Sequence, residues 1–178
     1  HGVLASKQGR CCTFHESTVR AMGRNASGVR GIELGEENEA IGMICVNQTS
    51  EDVLPQILVV SENGYGKRSD ITDYRITNRG GKGVKTLNIT EKTGALIAIK
   101  DVTDDNDLMI INRSGITIRL AVSDLRIMGR ATQGVKLINV RENDSIAAVC
   151  VVAKSEEKPA ETADEPAESQ STESVQAE

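Results

Sequence analysis

Aromatic residues are almost missing. Phe14, Tyr65 and Tyr74 are the only three in 178 residues, and there is no tryptophan. The core must therefore be built from Val, Ile, Leu, Ala and Met. A surface that stacks unpaired bases on aromatic platforms, as single-strand binders use, lacks its material. Histidine occurs only as His1 and His15, too little for a zinc site. The cysteines, Cys11, Cys12, Cys45 and Cys150, form no C-x-x-C pair and no metal spacing. They read as buried thiols in a reducing cytosol, with Cys11 and Cys12 on opposite faces of a strand. No secretory apolar segment or membrane-length apolar run is present. Helical periodicity is weak everywhere, so no helix offers itself for insertion into a groove of DNA.

Positive charge is outnumbered overall and unevenly placed. The net charge is −5, yet residues 155–178 hold eight acids against the single base Lys158, which leaves the first 154 residues at +2. A mildly basic body with a strongly acidic tail hints at a nucleic-acid partner and an acidic modulator. The tail is Glu-, Ala-, Ser-, Thr- and Pro-rich with Val175 as its one large aliphatic, so 154–178 is expected to be disordered. The chain opens at His1 directly inside the apolar run Val3-Leu4-Ala5, as a piece of a longer chain would.

What the sequence does have is an internal repeat. Gly9, Gly64 and Gly115 each sit in a turn: Lys7-Gln8-Gly9-Arg10, Glu62-Asn63-Gly64-Tyr65 and Arg113-Ser114-Gly115-Ile116. Eleven residues past each glycine stands Arg20, Arg75 or Arg126, and fifteen past stands Arg24, Arg79 or Arg130. Nineteen past begin Gly28-Val29-Arg30, Gly83-Val84-Lys85 and Gly134-Val135-Lys136. Alternating aliphatics come next: Ile32 and Leu34, Leu87 and Ile89, Ile138 and Val140. The period is 55 and then 51 residues.

Each unit reads as four short strands, about 56–61, 65–71, 83–90 and 95–101 in the middle one. The first is apolar throughout (Ile57 to Val60), as for a strand covered on both faces, and the others alternate. Four strands in about fifty residues make a propeller blade. The expected fold is all-β and propeller-like: three four-stranded blades at about 1–47, 53–103 and 107–153, with Asp104, Asp105, Asn106 and Asp107 as a polar turn.

The loop before each Gly-Val step carries the functional signal. Small residues let a backbone approach a ligand, glycines free N–H groups toward anions, and arginine grips phosphate bidentately. Repeated on each blade, such loops make a curved basic track for the backbone of duplex DNA. Against this, a repeated arginine can serve a structural ion pair, with Glu16, Asp73 and Asp124 as candidate partners. Gly64-Tyr65-Gly66-Lys67-Arg68-Ser69 looks like a truncated phosphate loop, but it lacks the full spacing and the following helix and reads as a hairpin.

Val19-Arg20-Ala21-Met22-Gly23-Arg24, Gly28-Val29-Arg30-Gly31-Ile32, Glu62-Asn63-Gly64-Tyr65-Gly66-Lys67-Arg68 and Gly129-Arg130-Ala131-Thr132-Gln133-Gly134-Val135 resemble the C-terminal domain of the DNA gyrase A protein. The resemblance spans residues 1–153, and the acidic tail is similar too. It implies the last three blades of a β-pinwheel whose blades exchange a strand and wrap duplex DNA around a basic rim. The parent would be a bacterial, cytoplasmic, nucleoid-associated type II topoisomerase that negatively supercoils DNA, an assembly of two A and two B subunits. ATP and Mg2+ would be used elsewhere in it, with no cofactor or metal in this chain and no membrane contact.

The implied DNA-contact set is Arg20, Arg24, Arg30, Lys67, Arg68, Arg75, Arg79, Lys82, Lys85, Arg119, Arg126, Arg130 and Lys136. Gly9, Gly28, Gly64, Gly83, Gly115 and Gly134 are its structural glycines. Two departures stand out. The family's Gln-Arg-Arg-Gly-Gly-Lys-Gly box belongs to its first blade, whereas Asn78-Arg79-Gly80-Gly81-Lys82-Gly83 approaches it in a later one. Neither Tyr65 nor Tyr74 follows the arginine that the DNA-cleavage site requires, so this chain is expected to lack catalysis. The A-type subunit of topoisomerase IV and a propeller acting as a protein-interaction platform are the alternatives.

Overall fold

A computed structural model describes residues 1–47 and 54–154. The acidic tail, for which disorder is expected, and the connection before Leu54 lie outside the described residues. The described residues form strands and three short 3-10 turns. None of their helices is long and apolar enough to cross a membrane.

The first unit has β1 (Gly2–Ser6), β2 (Arg10–Phe14) and β3 (Ala40–Cys45). The second has β4 (Gln56–Ser61), β5 (Tyr65–Asp70), β6 (Val84–Lys85) and β7 (Leu96–Val102). The third has β8 (Asn106–Asn112), β9 (Thr117–Ala121), β10 (Val135–Lys136) and β11 (Ile146–Ala153). Each second strand is followed at once or within one residue by a 3-10 turn: Glu16–Thr18, Ile71–Asp73 and Val122–Asp124. The turn glycines Gly9, Gly64 and Gly115 take φ of 75°, 82° and 87°, the left-handed region expected of such turns.

The sheets do not coincide with the repeats. Their strand orders are β3-β1-β2-β6, β10-β5-β4-β7 and β11-β8-β9. β6 comes from the second unit but pairs with β2 of the first, placing Val84 opposite Cys11. β10 comes from the third unit but pairs with β5 of the second, placing Val135 opposite Gly66. This corrects the expected strand over 83–90. Only two of its residues are extended into a ladder, and they complete the preceding sheet. The third sheet has three strands among the described residues rather than four.

Packing explains why the step must be short. Gly83 has φ of 68°, and a Cβ there would stand 2.2 Å from the Cys11 carbonyl oxygen. Directly after β6 the N–H groups of Thr86 and Leu87 both turn to the Gly9 carbonyl, at 2.8 and 3.3 Å. The same pair, Leu137 and Ile138 onto Gly64, closes the next junction at 2.8 and 3.5 Å.

The apolar cores lie between sheets. One joins Val3, Ala5, Cys11 and Ile44 of the first unit to Ile57, Val59, Tyr74, Leu87 and Ile99 of the second. The other joins Leu58, Val60 and Val102 of the second unit to Leu108, Ile110, Leu125, Ile138 and Val149 of the third. β4 thus contributes alternate residues to two cores, which accounts for its unbroken apolar run. Cys11 and Cys12 do face opposite ways, since Cys12 packs with Phe14 and Ile32 in a third, smaller cluster. Burial pushes the Cys11 thiol up to about 12. Cys45 and Cys150 are exposed, contrary to the expectation of four buried thiols.

Gly28, with φ of 81°, has the backbone of Gly83 but no atom within 4 Å of its missing Cβ. In dilute protein Gly83→Ala should therefore destabilise by about 1–3 kcal/mol more than Gly28→Ala, because the methyl overpacks a closed junction. Urea unfolding of the two variants measures the difference. Equal losses would show that the approach to Cys11 is not limiting.

Candidate nucleic-acid interface

The arginine columns acquire their geometry from the strand exchange. Arg79 donates from Nε to the Thr18 carbonyl at 3.1 Å and from Nη1 to the Arg30 carbonyl. Arg130 repeats this one unit on, from Nε to the Asp73 carbonyl at 3.1 Å and from Nη1 to the Lys85 carbonyl. Thr18 and Asp73 are equivalent repeat positions, as are Arg30 and Lys85. Each arginine therefore brackets the 3-10 turn and the Gly-Val-base step of the unit before it. The partners are backbone carbonyls, and Asp73 contributes its main chain rather than its carboxylate.

The bracket leaves the guanidinium usable. Its five N–H donors exceed the two carbonyls engaged, and Arg79 and Arg130 remain half-exposed. Arg24 is exposed, and no described unit precedes the first to offer it those carbonyls. Arg20, Arg75 and Arg126 are exposed, and none forms an ion pair among the described residues. Arg30, Lys82, Lys85 and Lys136 are exposed on and beside the exchanged steps.

Neighbouring loops are stitched side by side. Gly80 N–H reaches the Gly31 carbonyl at 2.9 Å, and Glu33 N–H reaches the Gly81 carbonyl at 2.9 Å. Asn88 N–H reaches the Thr132 carbonyl at 3.1 Å in the next pair. Arg30 thereby lies beside Arg79, and Lys85 beside Arg130. An open groove of about 500 Å³ between the first two units is lined by His15, Thr18, Arg75, Ile76, Thr77 and Asn78. The result is a line of guanidinium and ammonium groups crossing successive units, suited to a polyanion with regularly spaced charges.

Two residues of the expected contact set do not belong to that line. Lys67 is fully buried; its ammonium donates to the Gly129 carbonyl at 2.6 Å, to the Arg130 carbonyl and to Thr132 Oγ1 at 3.1 Å. Arg68 is buried as well. It donates to the Leu125 carbonyl at 2.6 Å and to Gln56 Oε1 at 3.0 Å, and it pairs with Asp104. Both side chains staple the second unit to the third and are out of reach of a phosphate. The hairpin's second strand is covered by the following unit, which no local sequence signal reveals. Arg119 is half-exposed and committed to Asp107 at 2.8 Å.

Other cations carry no repeat signal, because they recur at no fixed position. Arg10 donates to the Lys82 and Gly83 carbonyls, each at 2.9 Å, and stays exposed. Lys92 lies 5.5 Å from the centre of the Tyr65 ring, and together with Lys136 and Arg141 it borders an open depression. Among the described residues no group of three or more His, Cys, Asp or Glu side chains could hold a metal ion.

The family described as "DNA gyrase C-terminal domain, beta-propeller" matches residues 3–47, 55–103 and 106–152, one segment per unit. The DNA gyrase A protein of Staphylococcus aureus strain NCTC 8325 is 45% identical over 155 residues, 87% of this chain and 17% of the relative. The protein of strain MRSA252 is 44% identical over 150 residues, again 17% of its length. This chain thus spans about a sixth of those relatives. A solved DNA gyrase A C-terminal domain superposes with a TM-score of 0.74 at 26% identity, covering 83% of this chain and 49% of that one. A topoisomerase IV C-terminal domain superposes at 0.78 with 23% identity, covering 86% and 46%, a likeness of fold.

Burial, reinforced by the neighbouring Arg130 charge, lowers the Lys67 ammonium from 10.5 to about 8. Across that interval the unfolded chain holds the proton that the folded chain has released, so stability rises with pH from about 8 to 10.5. Lys67→Met should remove this rise. Denaturant midpoints measured across the interval check it, and an unchanged slope would mean that Lys67 is not its source.

Proposed function

The chain belongs to the DNA gyrase A C-terminal domain family, and from that premise we propose that it binds and wraps duplex DNA through the phosphate backbone. The observation that carries this reading is the bracketed arginine row. Strand exchange lays each unit's loop against the previous one, and exposed cations repeat along the seam. Contacts of this kind are indifferent to base sequence, as a wrapping surface requires. Smooth bending of 20–30 base pairs costs on the order of 1–6 kcal/mol, so several units must act together to offset it.

The wider assignment rests on the relatives. This chain serves a bacterial cytoplasmic, nucleoid-associated gyrase, an A2B2 assembly that introduces negative supercoils with ATP. It feeds the wrapped duplex to a cleavage core that lies outside these residues. ATP and Mg2+ act in those other parts, and this chain contributes binding rather than catalysis. Lys67 and Arg68 belong to its framework. The phosphate-contact set is Arg20, Arg24, Arg30, Arg75, Arg79, Lys82, Lys85, Arg126, Arg130 and Lys136.

Arg75 and Arg126 provide the cleanest test, because both are exposed without bracketing a neighbour. The double variant Arg75→Ala/Arg126→Ala should bind every duplex sequence more weakly. Its plot of log affinity against log salt should flatten by about 2 in slope, close to one per lost phosphate contact. Its thermal melt should stay that of the parent. Titrations at several salt concentrations decide the matter: an unchanged slope would remove both residues from the interface, and a loss confined to one sequence would contradict backbone recognition.

A further inference from the structure

Ile76 is the most exposed large apolar side chain among the described residues, at 54%. The middle unit to which it belongs has a described unit on either side, and neither covers it. Ile127, at the same repeat position, is 46% exposed, and the first unit has Ala21 there. One exposed aliphatic is ordinary on a protein surface. The same aliphatic at the same place in two units, each time directly after an exposed arginine of the repeated column, is a pattern that calls for a cause.

The backbone carrying each isoleucine is fixed across a seam inside the chain. Thr77, next to Ile76, donates its N–H to the Thr13 carbonyl at 2.7 Å and its hydroxyl to the same oxygen at 3.2 Å. Met128, next to Ile127, donates its N–H to the Arg68 carbonyl at 2.8 Å, and its own carbonyl accepts from the Ser69 hydroxyl at 2.7 Å. Ile127 also forms a parallel bridge with Arg68. Thr13 and Arg68 are equivalent repeat positions, so both units present the side chain from the same anchored place. A side chain held outward on such a backbone loses little freedom when it meets a partner.

The surroundings select that partner. Ile76 borders the open groove between the first two units together with His15, Thr18, Arg75, Thr77 and Asn78, and no carboxylate lines it. Arg79, bracketed onto Thr18, stands at the same seam. An isolated aliphatic between guanidinium groups suits a polyanion whose charges are separated by apolar surface. The DNA backbone has this make-up, with a deoxyribose between successive phosphates.

We infer that Ile76 and Ile127 pack on deoxyribose rings of the bound duplex, between the phosphates gripped by the arginines beside them. This deepens the reading of the chain as a duplex-wrapping surface and rests on it. Insertion between base pairs is the other contact an exposed isoleucine makes with DNA. Such a wedge enters from the minor groove and bends the duplex toward its major groove, away from the surface that carries the wedge. Wrapping bends the duplex toward that surface, so the sugar edge is the contact that agrees with it. Sugar contact is also indifferent to base sequence, as the arginine contacts are.

The test compares the whole chain with its Ile76→Ala/Ile127→Ala variant on duplex DNA at several salt concentrations. The variant should bind about tenfold more weakly at each of them, as the loss of two half-buried aliphatic contacts would give. Its plot of log affinity against log salt should keep the parent slope, because no phosphate contact is lost. Its thermal melt should stay that of the parent, both side chains being exposed. Ile76→Gln/Ile127→Gln, which keeps the length but not the apolar end, should show the same loss, and Ile76→Leu/Ile127→Leu should restore parent affinity. Duplexes carrying 2-aminopurine should show no rise in fluorescence on binding, since no base is unstacked. Parent-like affinity of the Ala and Gln variants would overturn the inference and leave DNA binding standing. A flattened salt slope would overturn it by placing the loss at the arginines, and a fluorescence rise that the Ala variant abolishes would replace sugar contact by a wedge. A parent that binds no duplex would overturn the functional reading itself, and this inference with it.

Discussion

The donation of a two-residue strand to the preceding sheet is the constraint on which this structure depends. Val84–Lys85 and Val135–Lys136 contribute little ladder by themselves. Their consequences are larger. Each brings its own loop across the seam, sets the next pair of N–H groups on the preceding unit's turn-glycine carbonyl, and lets the arginine fifteen residues past its own unit's turn glycine reach back to two carbonyls of the neighbour. Sheet pairing, core closure and surface charge placement are therefore one event repeated at each junction.

This arrangement gives the arginine a structural role beside the phosphate-binding role proposed for it. A guanidinium held by two carbonyls has less rotamer freedom to lose when it meets a phosphate, so pre-organisation favours binding. Lys67 shows the other outcome. Its strand is roofed by the next unit, so its charge is spent on carbonyls at the seam and is held near the limit of remaining protonated. Arg68 beside it is anchored in the same way by Leu125, Gln56 and Asp104.

Most of the fold is legible without coordinates. The glycines at 9, 64 and 115 announce hairpins, and Ile57 to Val60 announces a strand covered on both faces. The candidate surface is legible in part. Arg20, Arg75 and Arg126 end exposed, without the ion pairs that Glu16, Asp73 and Asp124 offered as candidates. The Arg24, Arg79 and Arg130 column reads as free in its loop, whereas two of its members bracket a neighbour. Lys67 and Arg68 mislead because a basic pair in a hairpin looks the same whether solvent or another sheet lies over it.

The sequence by itself determined the repeat, its β character, the turn positions and the register of the glycine and arginine columns, since these rest on local backbone preference and on spacing. Only the tertiary structure decided which sheet each Gly-Val-base step completes. The alternation of Leu87 and Ile89 is identical whether the step pairs within its own unit or with the unit before it. The same holds for the cations: hydration or burial is settled by what packs over a side chain, and for Lys67 that is the Gly129–Thr132 loop of the next repeat, more than sixty positions away.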